Sequence, residues 1–215
     1  MRLKFDIHLH TSIYSPCSLM EPEEMVESAI STGLDGIVIT EHHYQWTDKE
    51  IEELKKKVFV NGLIIFSGAE ITTDAGDLLV FGLPGKTISN WKNFVSVEEV
   101  IAEVNKHNGF CIAAHPTRNY HHFDHRLEAL PIPAMEVMSV NMNVAEQEKA
   151  SLWANKLNRI QTCASDAHRA FHVGKYWIEV EMEKPDRIDF ISALKNKRFR
   201  MGSPNTNIKK CQSYE

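Results

Sequence analysis

The chain begins with an apolar stretch, Leu3-Lys4-Phe5-Asp6-Ile7-His8-Leu9-His10, which predicts a buried β-strand. A helical pattern follows over residues 22–30, with Pro22 suited to the first helical position and Gly33 suited to the position just past the end. Residues 36–40 are apolar and β-branched, which indicates a second strand. This order predicts a β–α–β unit, in which a helix connects two parallel strands.

The same alternation continues along most of the chain. Further strands are predicted at residues 63–71, 77–83, 110–114, 134–138, 162–165 and 176–182, and further helices from Thr47, from Ser96, and at residues 144–157 and 186–195. Seven such β–α steps predict an α/β fold with a mainly parallel sheet, closed or nearly closed into a barrel. A doubly wound open sheet is the alternative. We expect one domain over residues 1–202 and a polar tail over residues 203–215.

The composition narrows the classes of function. The 215 residues carry a formal net charge of −5, so charge does not indicate a general nucleic-acid binder or a membrane-surface protein. No signal peptide or membrane span is visible in the sequence. Four cysteines are scattered without a CxxC pair, which is typical of reduced thiols and favours the cytoplasm.

Residues with metal chemistry recur where the predicted strands end. These stretches are Asp6-Ile7-His8-Leu9-His10, Thr40-Glu41-His42-His43, Gly68-Ala69-Glu70, Ala114-His115-Pro116, Met135-Glu136 and Ser165-Asp166-Ala167-His168. The carboxyl ends of parallel barrel strands meet at one rim, so we expect these side chains to converge. Side chains two apart on a strand share a face, which brings His8 and His10 together.

A single histidine pair at a strand end is more often a turn or core feature than a metal site. Gathering this many ionisable groups at one rim is expensive unless a cation compensates them. Imidazoles mixed with carboxylates suit Zn²⁺, Mn²⁺ or Fe²⁺ better than Mg²⁺ or Ca²⁺. The pattern therefore predicts two or three divalent metal ions.

As a set, these motifs resemble the polymerase-and-histidinol-phosphatase (PHP) superfamily of metal-dependent phosphoesterases. The matching stretches are residues 6–11, 33–42, 68–71, 114–116 and 165–168, in the family's order. The resemblance implies a distorted (β/α)₇ barrel with up to three metals at its mouth. It implies one metal on His8, His10, Glu70 and Asp166, a second on Glu70 and His115, and a third on His42 and His168.

The chain departs from the family pattern at three positions. Glu41 stands where the family usually has Asp. After the opening motif, where a ligand to the third metal is common, only Cys17 could serve. In the hairpin after the third motif, Asp77 stands where small relatives tend to have His, so we expect Asp77 to bind the second metal more weakly.

The expected reaction is hydrolysis of a small phosphomonoester by a metal-activated water. Arg118 follows His115-Pro116 and is the candidate to bind substrate phosphate, because its planar guanidinium matches phosphate oxygens. His43 is the candidate proton donor, with an orienting role as its alternative. The other functions left open are a phosphodiesterase or nuclease on the same metals, an amidohydrolase-like C–N hydrolase, and a non-catalytic metal-binding regulatory domain.

Overall fold

The structure, a computed structural model, describes residues 1–60 and 62–204. Its strands are β1 (Arg2–Leu9), β2 (Gly36–Ile39), β3 (Ile64–Ser67), β4 (Ala69–Thr72), β5 (Asp77–Phe81), β6 (Phe110–Ala113), β7 (Ala134–Met138), β8 (Ile160–Cys163), β9 (Trp177–Glu181) and β10 (Phe199–Gly202). Its α-helices are α1 (Pro22–Ser31), α2 (Asp48–Lys57), α3 (Gly85–Ser89), α4 (Val97–Lys106), α5 (Val144–Lys156) and α6 (Arg187–Lys195). No helix in the described ranges is long and apolar enough to cross a membrane.

The strands form two mixed sheets of five. The first has the order β10-β9-β1-β2-β3 and the second the order β4-β5-β6-β7-β8. The β1–β2, β2–β3, β6–β7 and β7–β8 pairs are parallel, whereas β9 pairs antiparallel with β1 and β10, and β5 pairs antiparallel with β4 and β6. The predicted α/β class is confirmed, but the predicted distorted (β/α)₇ barrel is not observed, because the described strands form two mixed sheets and no closed barrel.

The sheets divide at Gly68, inside what the sequence predicts as one strand over residues 63–71. A Cβ on Gly68 would lie 2.6 Å from the carbonyl oxygen of Val80 and 2.9 Å from Cδ1 of Phe81. Only glycine allows this close approach of the backbone to β5. The chain therefore leaves the first sheet at Ser67 and enters the second at Ala69.

Two isolated bridges connect the sheets at the strand ends. Leu9 pairs with Ala167 beyond β8, and His42 pairs with Glu70 of β4. Backbone hydrogen bonds support both bridges, from His10 N to Ala167 O at 3.0 Å and from His43 N to Glu70 O at 2.9 Å. The two bridges bring the metal-type residues of both sheets to one edge.

The helices begin where their capping residues predict. Thr47 and Glu50 form a capping box at the start of α2, and the Ser96 hydroxyl accepts the Glu99 N–H at the start of α4. Pro22 occupies the first position of α1, and Gly33 follows the helix with a φ of 73°. Local sequence signals therefore fix these boundaries.

An aromatic core joins the sheets beneath the bridges. The Phe5 ring of β1 lies 5.7 Å from Phe66 of β3 and 5.2 Å from Phe190 of α6, measured between ring centroids. Phe81 of β5 and Phe110 of β6 belong to the same buried cluster. This packing provides a fixed base for the side chains at the strand ends.

Cys17, Cys111 and Cys163 are free thiols, the first exposed and the other two buried. Cys211 lies outside the described residues. The predicted tail also falls almost entirely outside them, so its boundary at residue 203 stays a prediction.

Candidate metal centre

Two buried carboxylates occupy the middle of the site. Glu70 from β4 and Asp166 from the loop after β8 are each about 1% exposed. The Nε2 atom of His8 lies 3.4 Å from Glu70 Oε2 and 3.4 Å from Asp166 Oδ1. The Nε2 atom of His10 lies 3.2 and 3.5 Å from the same two oxygens. The rings of His8 and His10 therefore both point at both carboxylates, as the two-residue spacing predicts.

The other oxygen of Glu70 faces a second group. His115 Nε2 lies 3.0 Å from Glu70 Oε1, whereas His42 Nδ1 lies 3.2 Å from Glu70 Oε2. Glu70, Asp77 and His115 offer ligand atoms that all lie within 4.8 Å of one another. Glu70 is therefore placed to be shared between two ions.

Further groups of three meet the same distance criterion. They are His8, His10 and Glu70; His8, His115 and Asp166; and His10, His42 and His168. The structure thus brings together all eight residues that the sequence predicts as metal ligands. Cys17 belongs to none of the His, Cys, Asp and Glu groups found among the described residues.

The buried polar atoms at this point are incompletely paired. His8 Nε2, His10 Nε2, His115 Nδ1 and Asp166 Oδ1 are buried and make no hydrogen bond. Such atoms cost free energy unless a partner satisfies them. Imidazole nitrogens and carboxylate oxygens facing one small space form a donor set that fits a divalent metal ion.

Hydrogen bonds from Asn141 and to Asp6 fix the loop that carries Asp166. Asn141 Nδ2 donates to Oδ2 of Asp166 at 2.7 Å and to its carbonyl oxygen at 2.8 Å. Asp6 accepts the Ser165 N–H at 2.9 Å and the Gly174 N–H at 2.9 Å. Asp6 is therefore a fixed anchor for the loop that carries Asp166, and its side chain does not face the ligand atoms in any of the groups above.

Three site residues adopt positive φ angles, which non-glycine residues rarely do. The angles are 52° at Asp166, 29° at His115 and 54° at His43. Contacts with the surrounding structure must stabilise these backbone conformations. Such conformations are concentrated at functional sites.

The charges of the site shift its pKa values strongly. Burial lowers the pKa of His115, but the hydrogen bond and charge of Glu70 outweigh it and raise the pKa to about 9. Burial raises the pKa of Asp166, but the charge of His8 and the nearby His10 ring bring it well below its usual range. Burial raises the pKa of Asp77 to about 6, with a further contribution from the charge of Glu70. Perturbation of this kind is typical of functional sites.

His42 and His168 lie at the open side of the site. Their rings stack on His10, with centroids 4.6 and 4.5 Å away, and burial lowers the pKa of His42 to about 4. Glu41 is fully buried behind them and accepts hydrogen bonds from Thr11 and the Trp46 indole. Glu41 therefore does not face the ligand groups.

The two predicted catalytic residues have different surroundings. Arg118 is part-exposed, and its Nη1 atom lies 3.5 Å from Asp166 Oδ2 at the rim. Nε2 of His43 accepts the Thr72 N–H at 3.0 Å, so one ring nitrogen has a structural partner, whereas Nδ1 is buried without one. Arg118 therefore lies beside Asp166, and Nδ1 is the His43 ring nitrogen without a hydrogen-bond partner.

Sequence reasoning missed Asn141 and Ser15, which contact the site through hydrogen bonds. Neither follows a predicted strand end directly, and small polar residues in loops are too common to single out. The position of Asn141, three residues beyond β7, is the only available signal.

Comparison with known proteins agrees with this architecture. Residues 145–199 match the PHP-associated family. A protein of unknown role from Methanocaldococcus jannaschii is 28% identical over 124 residues, which cover 53% of this chain and 68% of the relative. The family match confirms the resemblance to PHP proteins over residues 145–199.

Two solved structures share the fold. A two-domain protein from Bacteroides vulgatus, containing a predicted PHP-like metal-dependent phosphoesterase, superposes with a TM-score of 0.72 at 21% identity, over 94% of this chain and 65% of that one. A lesion-specific endonuclease from Pyrococcus furiosus gives a TM-score of 0.64 at 16% identity, over 91% of this chain and 56% of that one. This chain therefore spans about two thirds of the first protein and just over half of the second.

Proposed function

We propose that this chain is a metal-dependent phosphoesterase that hydrolyses small phosphomonoesters. The observation that carries the proposal is the set of buried ligand atoms without a hydrogen-bond partner, which includes Asp166 Oδ1 and the Nε2 atoms of His8 and His10; both nitrogens lie 3.2–3.5 Å from the carboxylates of Glu70 and Asp166. Structural proteins rarely keep so many ionisable groups unpaired in one place, because each is costly. The description of the B. vulgatus protein as a PHP-like phosphoesterase supports the same reading.

Each ligand has a defined part in this proposal. His8, His10, Glu70 and Asp166 would hold one ion, because both imidazoles lie within 3.5 Å of both carboxylates, and Glu70, Asp77 and His115 would hold a second. His42 and His168 face His10 and provide imidazoles for a third. Zn²⁺, Mn²⁺ or Fe²⁺ suit this mixture of ligands. Divalent ions bound there supply an activated water and neutralise phosphate charge.

Two other residues contact the substrate, one at the phosphate oxygens and one at the leaving oxygen. Arg118 donates to the phosphate oxygens from the rim, where its guanidinium already lies near Asp166. Because Nε2 of His43 accepts from Thr72, neutral His43 carries its proton on Nδ1, from which it can donate a hydrogen bond to the leaving oxygen, while water supplies the proton that this oxygen takes up. The cytoplasmic location is part of the proposal and rests on the scattered cysteines.

Hydrolysis of phosphodiesters is the second candidate, favoured by the fold shared with the P. furiosus endonuclease. It uses the same ligands but needs a cationic surface for a nucleic-acid strand. The net charge of −5 does not favour such a surface. We therefore place small monoesters first.

The test compares p-nitrophenyl phosphate with bis(p-nitrophenyl) phosphate. The protein is stripped with a chelator and reloaded with Mn²⁺, Zn²⁺ or Fe²⁺, alongside Asp166→Ala and, as control, Glu148→Ala on the exposed face of α5. Metal-dependent monoester turnover that Asp166→Ala abolishes and Glu148→Ala keeps supports the proposal. Faster turnover of the diester moves the assignment to a phosphodiesterase, and no turnover by folded, metal-loaded protein overturns both in favour of a non-catalytic metal-binding domain.

A further inference from the structure

We propose that Glu41 and Ser15 are positioning residues that orient the His10 ring for metal binding. Glu41 is the residue that departs from the family's usual Asp, and its role is to hold Ser15, which in turn holds His10. The inference rests on the metal binding of the proposed function and is independent of the substrate.

The Ser15 hydroxyl has three partners. It donates to Oε2 of Glu41 at 2.5 Å, and it lies 3.2 Å from Nδ1 of His10 and 3.2 Å from the backbone N of His42. A serine hydroxyl has one hydrogen to donate and two lone pairs to accept with. Because the His42 N–H can only donate and Glu41 takes the hydroxyl hydrogen, Ser15 must accept from His10. Nδ1 of His10 therefore carries the proton.

The Glu41 carboxylate is fully occupied by hydrogen bonds. Its carboxylate accepts from the Thr11 N–H at 3.1 Å, the Trp46 indole N–H at 3.0 Å and the hydroxyls of Thr11 and Ser15. These four donors come from three different residues around a side chain that is 0% exposed. The carboxylate is therefore held by four hydrogen bonds and belongs to none of the ligand groups.

This arrangement decides which nitrogen His10 offers to a metal. With the proton on Nδ1, the lone pair is on Nε2, which lies 3.2 Å from Glu70 Oε2 and 3.5 Å from Asp166 Oδ1. The same logic holds for His8, whose Nδ1 contacts Glu136 directly. Partners beyond the ligands commonly fix the tautomer and orientation of metal-binding imidazoles in this way.

His8 and His10 are therefore oriented by two different kinds of contact. A carboxylate contacts His8 directly, whereas a hydroxyl separates Glu41 from His10. The Ser15 hydroxyl also fixes the His42 backbone, so one contact positions two rings that stack on each other. Loss of Ser15 is expected to disturb both.

The experiment measures metal affinity by competition with a chromophoric chelator, without substrate. Ser15→Ala and Glu41→Gln are compared with Ser12→Ala, which removes another hydroxyl-to-carboxylate bond in the same loop, from Ser12 to Glu21 at 2.6 Å. We expect about 10–100-fold weaker binding in the first two variants and a change below about 3-fold in the control. Ser15→Thr, which keeps a hydroxyl, is expected to restore most of the affinity.

Nitrogen NMR of the histidine rings in the metal-free protein tells whether Ser15 positions the His10 ring or only supports the fold. We expect the proton of His10 on Nδ1 in the unmodified protein and its loss from that nitrogen, wholly or in part, in folded Ser15→Ala. A His10 ring whose Nδ1 carries no proton in the unmodified protein overturns the proposal. So does a metal affinity of Ser15→Ala and Glu41→Gln equal to that of the control. A protein that binds no metal at all overturns the proposed function, while the tautomer result still reports on the orienting contact.

Discussion

Oε1 of Glu136 lies 2.9 Å from Nδ1 of His8, and this contact turns the other nitrogen of the ring toward Glu70 and Asp166. Oε2 of the same carboxylate accepts the backbone N–H of His115 at 3.0 Å. Glu136 is fully buried at the centre of β7. One side chain thus fixes a ring from the first sheet and the backbone beneath a ring from the second.

Replacing Glu136 by Gln tests this double contact. An amide has only one acceptor oxygen, so it cannot accept from both His8 and His115. We expect metal affinity and turnover to fall by about 10–100-fold. Chelator competition measures the affinity, with exposed Glu148→Gln as the matched control. An affinity equal to that of the control would show that Glu136 does not orient the ligands.

Removing the Arg118 guanidinium tests substrate binding. A hydrogen bond to a charged partner contributes about 1.5–3 kcal/mol, so Arg118→Ala should raise KM for a phosphomonoester at least 10-fold. Arg118→Lys should restore binding only in part, because it lacks the planar fork. Arg126→Ala, which loses ion pairs to Asp74 and Asp124 away from the centre, is the control. Steady-state kinetics with metal in excess measure KM for each variant. An unchanged KM in Arg118→Ala counts against a phosphate contact.

The His115–Glu70 pair predicts opposite pH dependences with and without metal. The pKa of His115 is raised from 6.5 to about 9 in the metal-free fold, so the protonated ring stabilises that fold fully below about pH 6.5. This contribution is lost as the pH rises through about 9. Metal must displace the same proton, so apparent metal affinity should rise over the same range.

Thermal unfolding at about pH 6.5 and about pH 9 measures both effects. In chelator, the contribution of His115 to Tm should shrink at the higher pH, and with Zn²⁺ the Tm increment due to metal should grow. His115→Asn removes the titrating ring. It should therefore reduce both pH-dependent differences in Tm, the one in chelator and the one with Zn²⁺, relative to the unmodified protein. Equal pH responses of the two proteins would contradict the assigned His115–Glu70 pair.

The division between the sheets predicts a cost for a side chain at residue 68. Gly68→Ala places a Cβ against the Val80 carbonyl oxygen at 2.6 Å, so we expect a loss of about 1–3 kcal/mol in the free energy of unfolding. At Gly85, the nearest heavy atoms would lie 3.9 Å from the new Cβ, so Gly85→Ala should change stability by less than about 1 kcal/mol. Denaturant unfolding of the metal-free proteins compares the two. Equal stabilities would remove the steric reason for the division.

The sequence predicts the local features of this fold well because their causes are local. Capping at Thr47 and Ser96 needs only a hydroxyl and an N–H three residues away. The convergence of His8, His115 and Asp166 follows from their positions at strand ends. Their roles as ligands stay a prediction that the metal titrations test.

The arrangement of the strands could not be predicted in the same way. Pairing of β5 antiparallel to both neighbours, and entry of β4 into the second sheet, depend on contacts between distant segments. The short strand β10 was missed because its four residues, Phe199–Gly202, are too few to show a clear strand pattern, and their conformation depends on pairing with β9. Ser15 and Asn141 are recognisable only once the loops are in place.

The break at Gly68 has a consequence for the newly made chain. His8 lies in the first sheet and His10 directly follows it, whereas Glu70 lies in the first strand of the second sheet and Asp166 follows its last strand. Since synthesis proceeds from the N-terminus, an emerging chain presents these histidines long before their carboxylate partners exist. The proposed metal site therefore needs both halves of the chain, so tight metal binding should follow the docking of the second sheet on the first.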